Sequence, residues 1–337
     1  MTTANKLAIR RAILVSIGSG LLPSQTIVNA QPGIQRRMGV LLPFAETDQE
    51  SKNQVNTFIE ELRKLGWVAD RNLRIDFRWA SGGIDQIQEF AKELVSLNPD
   101  LLVGRSTPVV AALTKETRTI PILFLVVSDP VGDGFVKSLA RPGGNVTGFI
   151  NAEASMGGKW LELLKEISPR LNRVGVILNP KTSPGGGVFY RNMVEEAASI
   201  LRLKAVVHAV QNAQDIEAAV ESIGQVPNSG LVVLPDITTI RNRAVIIAAA
   251  ARRRLPAIYA FNFIAKEGGL MAYGVDVVDI YRRGAAYAQR ILKGDKPVDL
   301  PVQGPLTFEL LVNRKVANTL GLKIPATILS RATEVIE

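Results

Sequence analysis

Apolar runs and amphipathic segments alternate along most of the chain. The apolar run 37–43 predicts a buried strand, and Val55, Phe58, Ile59 and Leu62 recur at the spacing of one helix face. The same alternation continues through 73–79, 87–94, 101–103, 108–115 and 121–127. The resulting order βαβαβαβ, with short connections, predicts a parallel sheet that is covered by helices on both faces.

The second half of the chain repeats this pattern. Predicted strands and helices follow one another at 174–178, 189–201, 203–210, from 215 onward, 231–234, 242–253 and 257–259. The offset between the halves is nearly constant, since Leu73 to Lys204 is 131 residues and Leu101 to Leu231 is 130. We therefore predict an α/β fold with two doubly wound parallel-sheet lobes of the same topology.

The two lobes are predicted to be joined by a hinge of several chain crossings. The Pro- and Gly-rich segment 140–148 ends the first lobe, whereas the predicted helix 279–293 has no counterpart in the first half. This helix would therefore return to the first lobe, and 301–308 would cross once more. We expect 36–148 and 277–300 in the first lobe, and 149–276 and 301–337 in the second.

The first thirty residues have the pattern of a signal peptide. Lys6, Arg10 and Arg11 precede the apolar run 12–22, and small residues follow up to a predicted cleavage site after Ala30. The alternative of a transmembrane helix needs about 20 apolar residues, more than this run offers. We expect export to the periplasm, with Sec and twin-arginine routes both open, and a mature chain of about +6 instead of +9.

Composition excludes several classes of protein. With 0 Cys and 1 His, the chain has no disulfides, thiolate metal sites, Cys nucleophile or histidine zinc triad. His208 falls in the middle of a predicted strand, and neither a P-loop, a G-x-S-x-G elbow nor a helix-opening G-x-G-x-x-G occurs after the leader. We expect no enzyme activity, cofactor or metal, although a hydrolase using Asp129 and Asp236 stays open. The basic residues are dispersed, so we expect no nucleic-acid partner.

The residues that follow each predicted strand are the candidates for ligand binding. In open α/β sheets ligands bind outside the carboxyl ends of the strands, and two such lobes would present these ends to one another across a cleft. Hydroxyls and N–H groups at a helix start suit an anion, and Arg105 would be the matching cation. The candidate residues are Phe44, Arg105, Ser106, Thr107, Ser128, Asp129, Asn179, Thr182, Asp236, Tyr259, Phe261, Tyr273 and Asp276.

Each candidate also has a plain structural interpretation. Thr107 before Pro108 suits an ordinary helix cap, and Asp129 before Pro130 suits an Asx turn. Tyr259 and Phe261 would form an aromatic wall for a planar ligand, but core packing explains one of them equally well. The sequence leaves these alternatives open.

Four segments carry a family resemblance. The blocks 120–131, with Ser128-Asp129-Pro130-Val131, and 138–148, with Leu-Ala-Arg-Pro-Gly-Gly-Asn, resemble the substrate-binding family of ABC transporters that includes the tryptophan-binding, TrpX-like lipoproteins. Tyr273-Gly-Val-Asp276 and the segment 281–294 resemble its C-terminal signature. The resemblance covers 36–337 and implies a type I periplasmic-binding-protein fold that closes on a small ligand.

The resemblance also shapes the expected function. It implies a solute-binding protein of an ABC importer, a monomer that delivers an amino-acid-like or aromatic carboxylate to a permease in the inner membrane. Arg105 departs from the small residue expected there, which argues against an unmodified amino acid, and the absence of a Cys argues against a lipid anchor. Alternatives are a periplasmic sensory module that docks to a receptor and a transcriptional repressor, which needs a helix-turn-helix that the leader replaces.

Overall fold

The computed structural model describes residues 35–337. The predicted signal peptide, 1–30, and its cleavage site after Ala30 lie outside the described residues. Among the helices of residues 35–337, none combines the length and the apolar character that crossing a bilayer requires.

Five parallel strands form the first sheet, in the order β2-β1-β3-β4-β5. Its elements are β1 (Arg36–Leu42), α1 (Gln49–Lys64), β2 (Leu73–Trp79), α2 (Ile84–Ser96), β3 (Leu101–Arg105), α3 (Thr107–Glu116), β4 (Ile122–Val127) and β5 (Val146–Ile150). The central strands are continuous apolar runs because helices cover both faces of the sheet. We refer to this sheet and the helices packed on it as the first lobe.

Seven strands form the second sheet, in the order β12-β11-β10-β9-β8-β6-β7, all parallel except the β10–β11 pair. The elements of this part begin with α4 (Met156–Ile167), β6 (Arg173–Leu178), α5 (Val188–Ile200), β7 (Lys204–Ala209), α6 (Ala213–Gly224) and β8 (Ser229–Val233). They continue with α7 (Ile237–Arg241), α8 (Arg243–Arg252), β9 (Ala257–Tyr259), α9 (Asn262–Lys266), β10 (Met271–Val275), α10 (Val277–Leu292), β11 (Phe308–Asn313), α11 (Arg314–Leu320), α12 (Ala326–Arg331) and β12 (Glu334–Ile336). This sheet and its helices, without α10, are called the second lobe.

Three segments connect the two sheets. One lies between β5 and α4, one is the turn at Asp276 between β10 and α10, and one runs from Leu300 towards β11. Helix α10 packs on α1 and β4 of the first sheet. The third connection is hydrogen-bonded along β5, because Thr147 Oγ1 donates to the Leu300 carbonyl at 2.6 Å and Ile150 N donates to the Gln303 carbonyl at 2.9 Å.

One predicted boundary is wrong, and one short helix was not predicted. Strand β5 occupies 146–150, part of which the sequence predicts as an irregular linker; its middle residue, Gly148, lies so close to β4 that a Cβ there would be 2.0 Å from the Phe124 carbonyl oxygen. The predicted helix 242–253 begins at Arg243 and is preceded by the separate short helix α7, which Asp236 caps.

Candidate functional site

The strand ends of the first lobe carry a strained backbone. Ser106, directly after β3, has φ 77° and ψ 156°, a conformation that is essentially reserved for glycine. Beside it, Val126 has φ 58° at a bulge where β4 shifts its register against β5. Ser106 N donates to the Leu125 carbonyl at 3.0 Å, so a hydrogen bond joins the two irregular segments. Strain of this kind is typical of functional sites.

Ser128 forms a contact between the lobes. It follows β4, it is buried, and its hydroxyl lies against the hydroxyl of Tyr190 on α5 of the second lobe. Ser128 Oγ also donates to Asn151 Oδ1 at 2.9 Å. Burial raises the pKa of Tyr190, so its hydroxyl stays protonated at neutral pH. The end of β4 and helix α5 are thereby joined by neutral hydroxyl groups.

The loop after β4 forms a second contact between the lobes. Asp133 Oδ1 accepts a hydrogen bond from Gly185 N, in the loop after β6, at 2.9 Å. Burial raises the pKa of Asp133, a shift that the hydrogen bonds from Gly185 and Thr107 oppose and that nearby Asp129 increases. Asp129 accepts from Gly132 N at 2.8 Å, which is the turn contact that its place before Pro130 predicts.

Asp236 ties two loops of the second lobe together. Its carboxylate accepts hydrogen bonds from Thr182 Oγ1 at 2.6 Å, from Ser183 Oγ at 2.8 Å and from Thr238 N at 2.7 Å, the last of which caps α7. Burial raises the pKa of this carboxyl, and the three donors oppose that shift. Asn179 donates to Thr238 Oγ1 at 2.8 Å and joins the same cluster.

Two arginines of the second lobe reach the first lobe at the other side of the cleft. Arg241, the last residue of α7, donates from Nε to the Pro43 carbonyl at 2.8 Å and also contacts the Ala80 carbonyl. Arg243 forms an ion pair with Asp48, the cap of α1, at 2.9 Å. The strand ends β1 and β2 are therefore held against the start of α8.

Arg105 ends β3 and lies almost completely buried, with 2% exposed. Its guanidinium carbon lies 4.5 Å from the centre of the Phe44 ring. Phe44 follows β1 and, with Asp48, Ser81, Arg241 and Arg243, lines a cavity of about 440 Å³.

The remaining candidates lie at two other places. The Tyr259 ring is buried against Gly269 and in contact with apolar residues of the second lobe, which is the core-packing alternative. Phe261 is buried and stacks on Phe263, with 5.6 Å between ring centres. Tyr273 stacks on Phe308 at 5.8 Å, and Asp276 caps α10, both beside the second crossing between the sheets.

The structure thus brings one group of the predicted residues together where the lobes meet and leaves others apart. The group in the first lobe comprises Phe44, Arg105, Ser106, Thr107, Ser128 and Asp129. In the second lobe the polar atoms of Asn179, Thr182 and Asp236 form hydrogen bonds within that lobe. Thr182 donates to Asp236, Asn179 donates to Thr238, and Asp236 caps α7. Tyr259 is not part of the group.

Within residues 35–337, sequence reasoning missed several side chains that join the lobes, among them those of Asp48, Asp133, Tyr190, Arg241 and Arg243. Asp133 follows Asp129 within the same strand-end loop, so the strand-end rule was sufficient to find it. Tyr190 occupies a buried helix position that looks like ordinary core, and the arginines look like solvated surface charges. Their partners lie in the other lobe, which no local pattern reveals.

The sequence pattern of the ABC transporter substrate binding protein family matches residues 43–336. The chain belongs to this family. A curated relative, a tyrosine-binding protein of Clostridioides difficile (strain R20291), is 27% identical over 292 residues, covering 86% of this chain and 82% of the relative.

Two solved structures of similar sequence, one ligand-bound and one ligand-free, differ in how closely this chain resembles them. An ABC domain from Streptococcus pneumonia in complex with L-Trp has a TM-score of 0.83 at 25% identity, covering 90% of this chain and 100% of that one. The ligand-free, open structure of a substrate binding protein with adhesive properties from Clostridium difficile has a TM-score of 0.65 at 26% identity, covering 89% and 99%. At nearly equal identity, this chain is more similar to the ligand-bound structure, as the contacts between its lobes suggest.

Proposed function

We propose that this substrate-binding protein captures a small organic ligand, amino-acid-like or an aromatic carboxylate, between its lobes and delivers it to the permease of an ABC importer. The observation that carries the proposal is the meeting of strand ends from both sheets, joined by Ser128–Tyr190, Asp133–Gly185 and Arg241–Pro43. A ligand held there would touch both lobes at once.

The first-lobe group supplies the chemistry for such a ligand. Hydroxyls of Ser106 and Thr107 stand at the start of α3, where helix N–H groups favour an anion. Asp129 and Asp133 supply carboxylates in the next loop, suited to an ammonium group. The names of two relatives, one tyrosine-binding and one bound to L-Trp, support a ligand of this size.

Closure is proposed to be a shift of population between open and closed arrangements. A ligand that contacts both lobes favours the closed arrangement only by the difference in its affinity for the two. The three connections between the sheets are proposed to be the hinge, with 36–150 and 277–300 in the first lobe. Export by the predicted signal peptide, a periplasmic location and a monomeric state complete the proposal.

A thermal-shift screen tests the binding function. The purified protein is heated with L-amino acids, aromatic carboxylates and, as matched controls, sugars of similar mass. A ligand at 100 times its dissociation constant is expected to stabilise the protein by about 2.7 kcal/mol. Stabilisation by sugars alone, or by no compound at millimolar concentration, would contradict the proposed ligand class.

Delivery needs a separate experiment. Transport of a radiolabelled ligand into vesicles that contain the partner permease is expected to require this protein. Uptake that proceeds equally without it, while the protein still binds the ligand, would favour the sensory alternative.

A further inference from the structure

Arg105 is a buried cation without a counter-ion among the described residues. Its Nη1 donates to Ser51 Oγ at 3.3 Å, and its Nη2 has no hydrogen-bond partner at ordinary geometry within residues 35–337. Glu50 is nearby on α1 but accepts from Gln54 Nε2 at 2.7 Å and forms no ion pair with Arg105. The guanidinium contacts the Phe44 ring, which stabilises a cation but does not neutralise it.

An uncompensated charge in this position is unfavourable. Removing an ion from water carries a penalty of several kcal/mol, which only a well-placed opposite charge or a full set of hydrogen bonds offsets. Arginine also presents a planar fork of donors that matches a carboxylate in two-point contact. An anion that enters with the ligand would supply the missing partner.

Two hydroxyl groups lie beside Arg105. Within residues 35–337, the buried hydroxyl oxygens of Tyr281 on α10 and of Ser106, directly after β3, have no partner at ordinary hydrogen-bond geometry. Burial raises the pKa of Tyr281, a shift that the charge and hydrogen bond of Arg105 oppose and that Glu50 increases, so the Tyr281 hydroxyl stays protonated at neutral pH and can donate. The Arg105 guanidinium and two hydroxyls thus lie together at the end of β3, and no carboxylate of residues 35–337 pairs with the guanidinium.

We propose that Arg105 determines the specificity of the site by binding a carboxylate of the ligand, with Tyr281 and Ser106 as further donors. The inference rests on the proposed function and adds to it the residue that recognises the ligand's carboxylate: small organic carboxylates are accepted, and neutral compounds of the same shape are rejected. Arg105 belongs to the first lobe and contacts the ring of Phe44, which lines the cavity, so the carboxylate of the ligand would bind on the side of the first lobe.

Ligand pairs that differ only in this group provide the test. Indole-3-acetate is compared with indole-3-acetamide, and L-tryptophan with L-tryptophanamide, by calorimetry on the full protein. Each is measured on the wild type, on Arg105→Met, which keeps length and removes charge, and on Arg105→Lys, which keeps charge and removes the fork. Arg170→Met, an exposed arginine of the second lobe, is the control.

The wild type is expected to prefer the carboxylate of at least one pair. Arg105→Met is expected to reduce that preference about tenfold or more, since bonds to charged groups are worth about 1.5–3 kcal/mol. Arg105→Lys is expected to retain part of it, and Arg170→Met all of it. A carboxylate that binds with the same preference in Arg105→Met would overturn the inference and leave the binding function intact. If none of the four compounds binds, the inference is overturned for indole carboxylates, and the thermal-shift screen then decides separately whether the binding function stands.

The melting temperature without ligand separates a binding role from a structural one. If the charge serves the ligand, Arg105→Met melts at the same or a higher temperature than the wild type, because a buried unpaired charge has been removed. If Arg105 is structural, the variant melts lower and loses affinity for carboxylate and amide equally, which overturns the inference.

Discussion

Ser106 shows most plainly how a single residue links backbone strain to the candidate site. Its φ of 77° and ψ of 156° are unfavourable for any side chain with a Cβ, yet the chain has serine there and not glycine. Because serine is unfavourable in this backbone conformation, we expect Ser106 to serve a purpose other than stability.

Ser106→Gly is therefore expected to stabilise the protein. Relief of about 1–3 kcal/mol of strain exceeds the loss of about 0.4–1 kcal/mol that glycine causes through the unfolded chain. Ser106→Ala, which keeps the strain and loses only the hydroxyl, is the control, and urea unfolding is the measurement. A Gly variant less stable than the Ala variant would show that the backbone is not strained.

Asp48 links the cap of a helix to a contact between lobes. Its carboxylate caps α1 through Ser51 N at 2.8 Å and pairs with Arg243 of the second lobe. Partial burial alone raises the pKa of Asp48, but the hydrogen bonds from Ser51 and Arg243 outweigh it, so the pKa lies below its ordinary value. A lowered pKa means that the ionised form stabilises the folded state above the unfolded-state pKa and that this is lost as the pH falls through the folded pKa.

Asp48→Asn is expected to lower the free energy of unfolding by about 1–2 kcal/mol, because asparagine still caps the helix but carries no charge. Asp48→Ala is expected to lower it by about 1 kcal/mol more through loss of the cap. In urea titrations the deficit of Asp48→Asn stays constant from pH 7 to 5 and shrinks below about pH 4. A deficit that grows on acidification would contradict the assigned ion pair.

Single residues also mark where sequence reasoning stops. Asp236 was correctly placed at a strand end, but whether its carboxylate faces a ligand or caps α7 depends on Thr182 and Ser183, which a loop 50 residues earlier brings to it. Tyr259 has the same sequence context as Phe261, and only the packing of Gly269 against its ring places it in the core. Tertiary contacts determine whether each of these side chains faces a ligand or the core, and no local sequence pattern predicts the outcome.

At the scale of elements, the sequence is a better guide. Strand β4 was predicted because six consecutive apolar residues are needed to fill both faces of a covered sheet. Strand β5 was missed in part because Gly148, required by close approach to β4, looks like part of a turn. Helix α7 is too short to show a helical period, so only its cap at Asp236 was available as a signal.

Gly274 in β10, next to the second connection between the sheets, is a second position where two backbone segments pack too closely for a side chain. A Cβ there would lie 1.8 Å from the Ala260 carbonyl oxygen, so the backbone must move. Gly274→Ala is expected to destabilise the protein by about 1–3 kcal/mol. Gly158→Ala in α4, where a Cβ meets nothing within 4 Å, is the control and is expected to be neutral or up to about 1 kcal/mol stabilising. Equal midpoints of urea unfolding for the two variants would contradict the packing described for β10.

The whole molecule combines two sheets, three connections and a set of polar contacts between the lobes. Ser128–Tyr190 joins two neutral hydroxyls, whereas Asp133–Gly185 and Arg241–Pro43 each use an ionisable side chain and Arg243–Asp48 is an ion pair. Each contact is worth about 1–3 kcal/mol. In the proposed function, the ligand shifts the population towards the closed arrangement by its difference in affinity for the two. The membership in the ABC transporter substrate binding protein family agrees with this description.

The distance between the two lobes tests most directly whether they close around a ligand. Because the chain has 0 Cys, Gln88→Cys on α2 and Gln214→Cys on α6, both exposed, can be spin-labelled without background. The distance distribution by double electron–electron resonance is expected to contain a longer component without ligand and to shift to the shorter distance with any compound that raises the melting temperature. A distribution that saturating ligand leaves unchanged would contradict closure of the lobes around it.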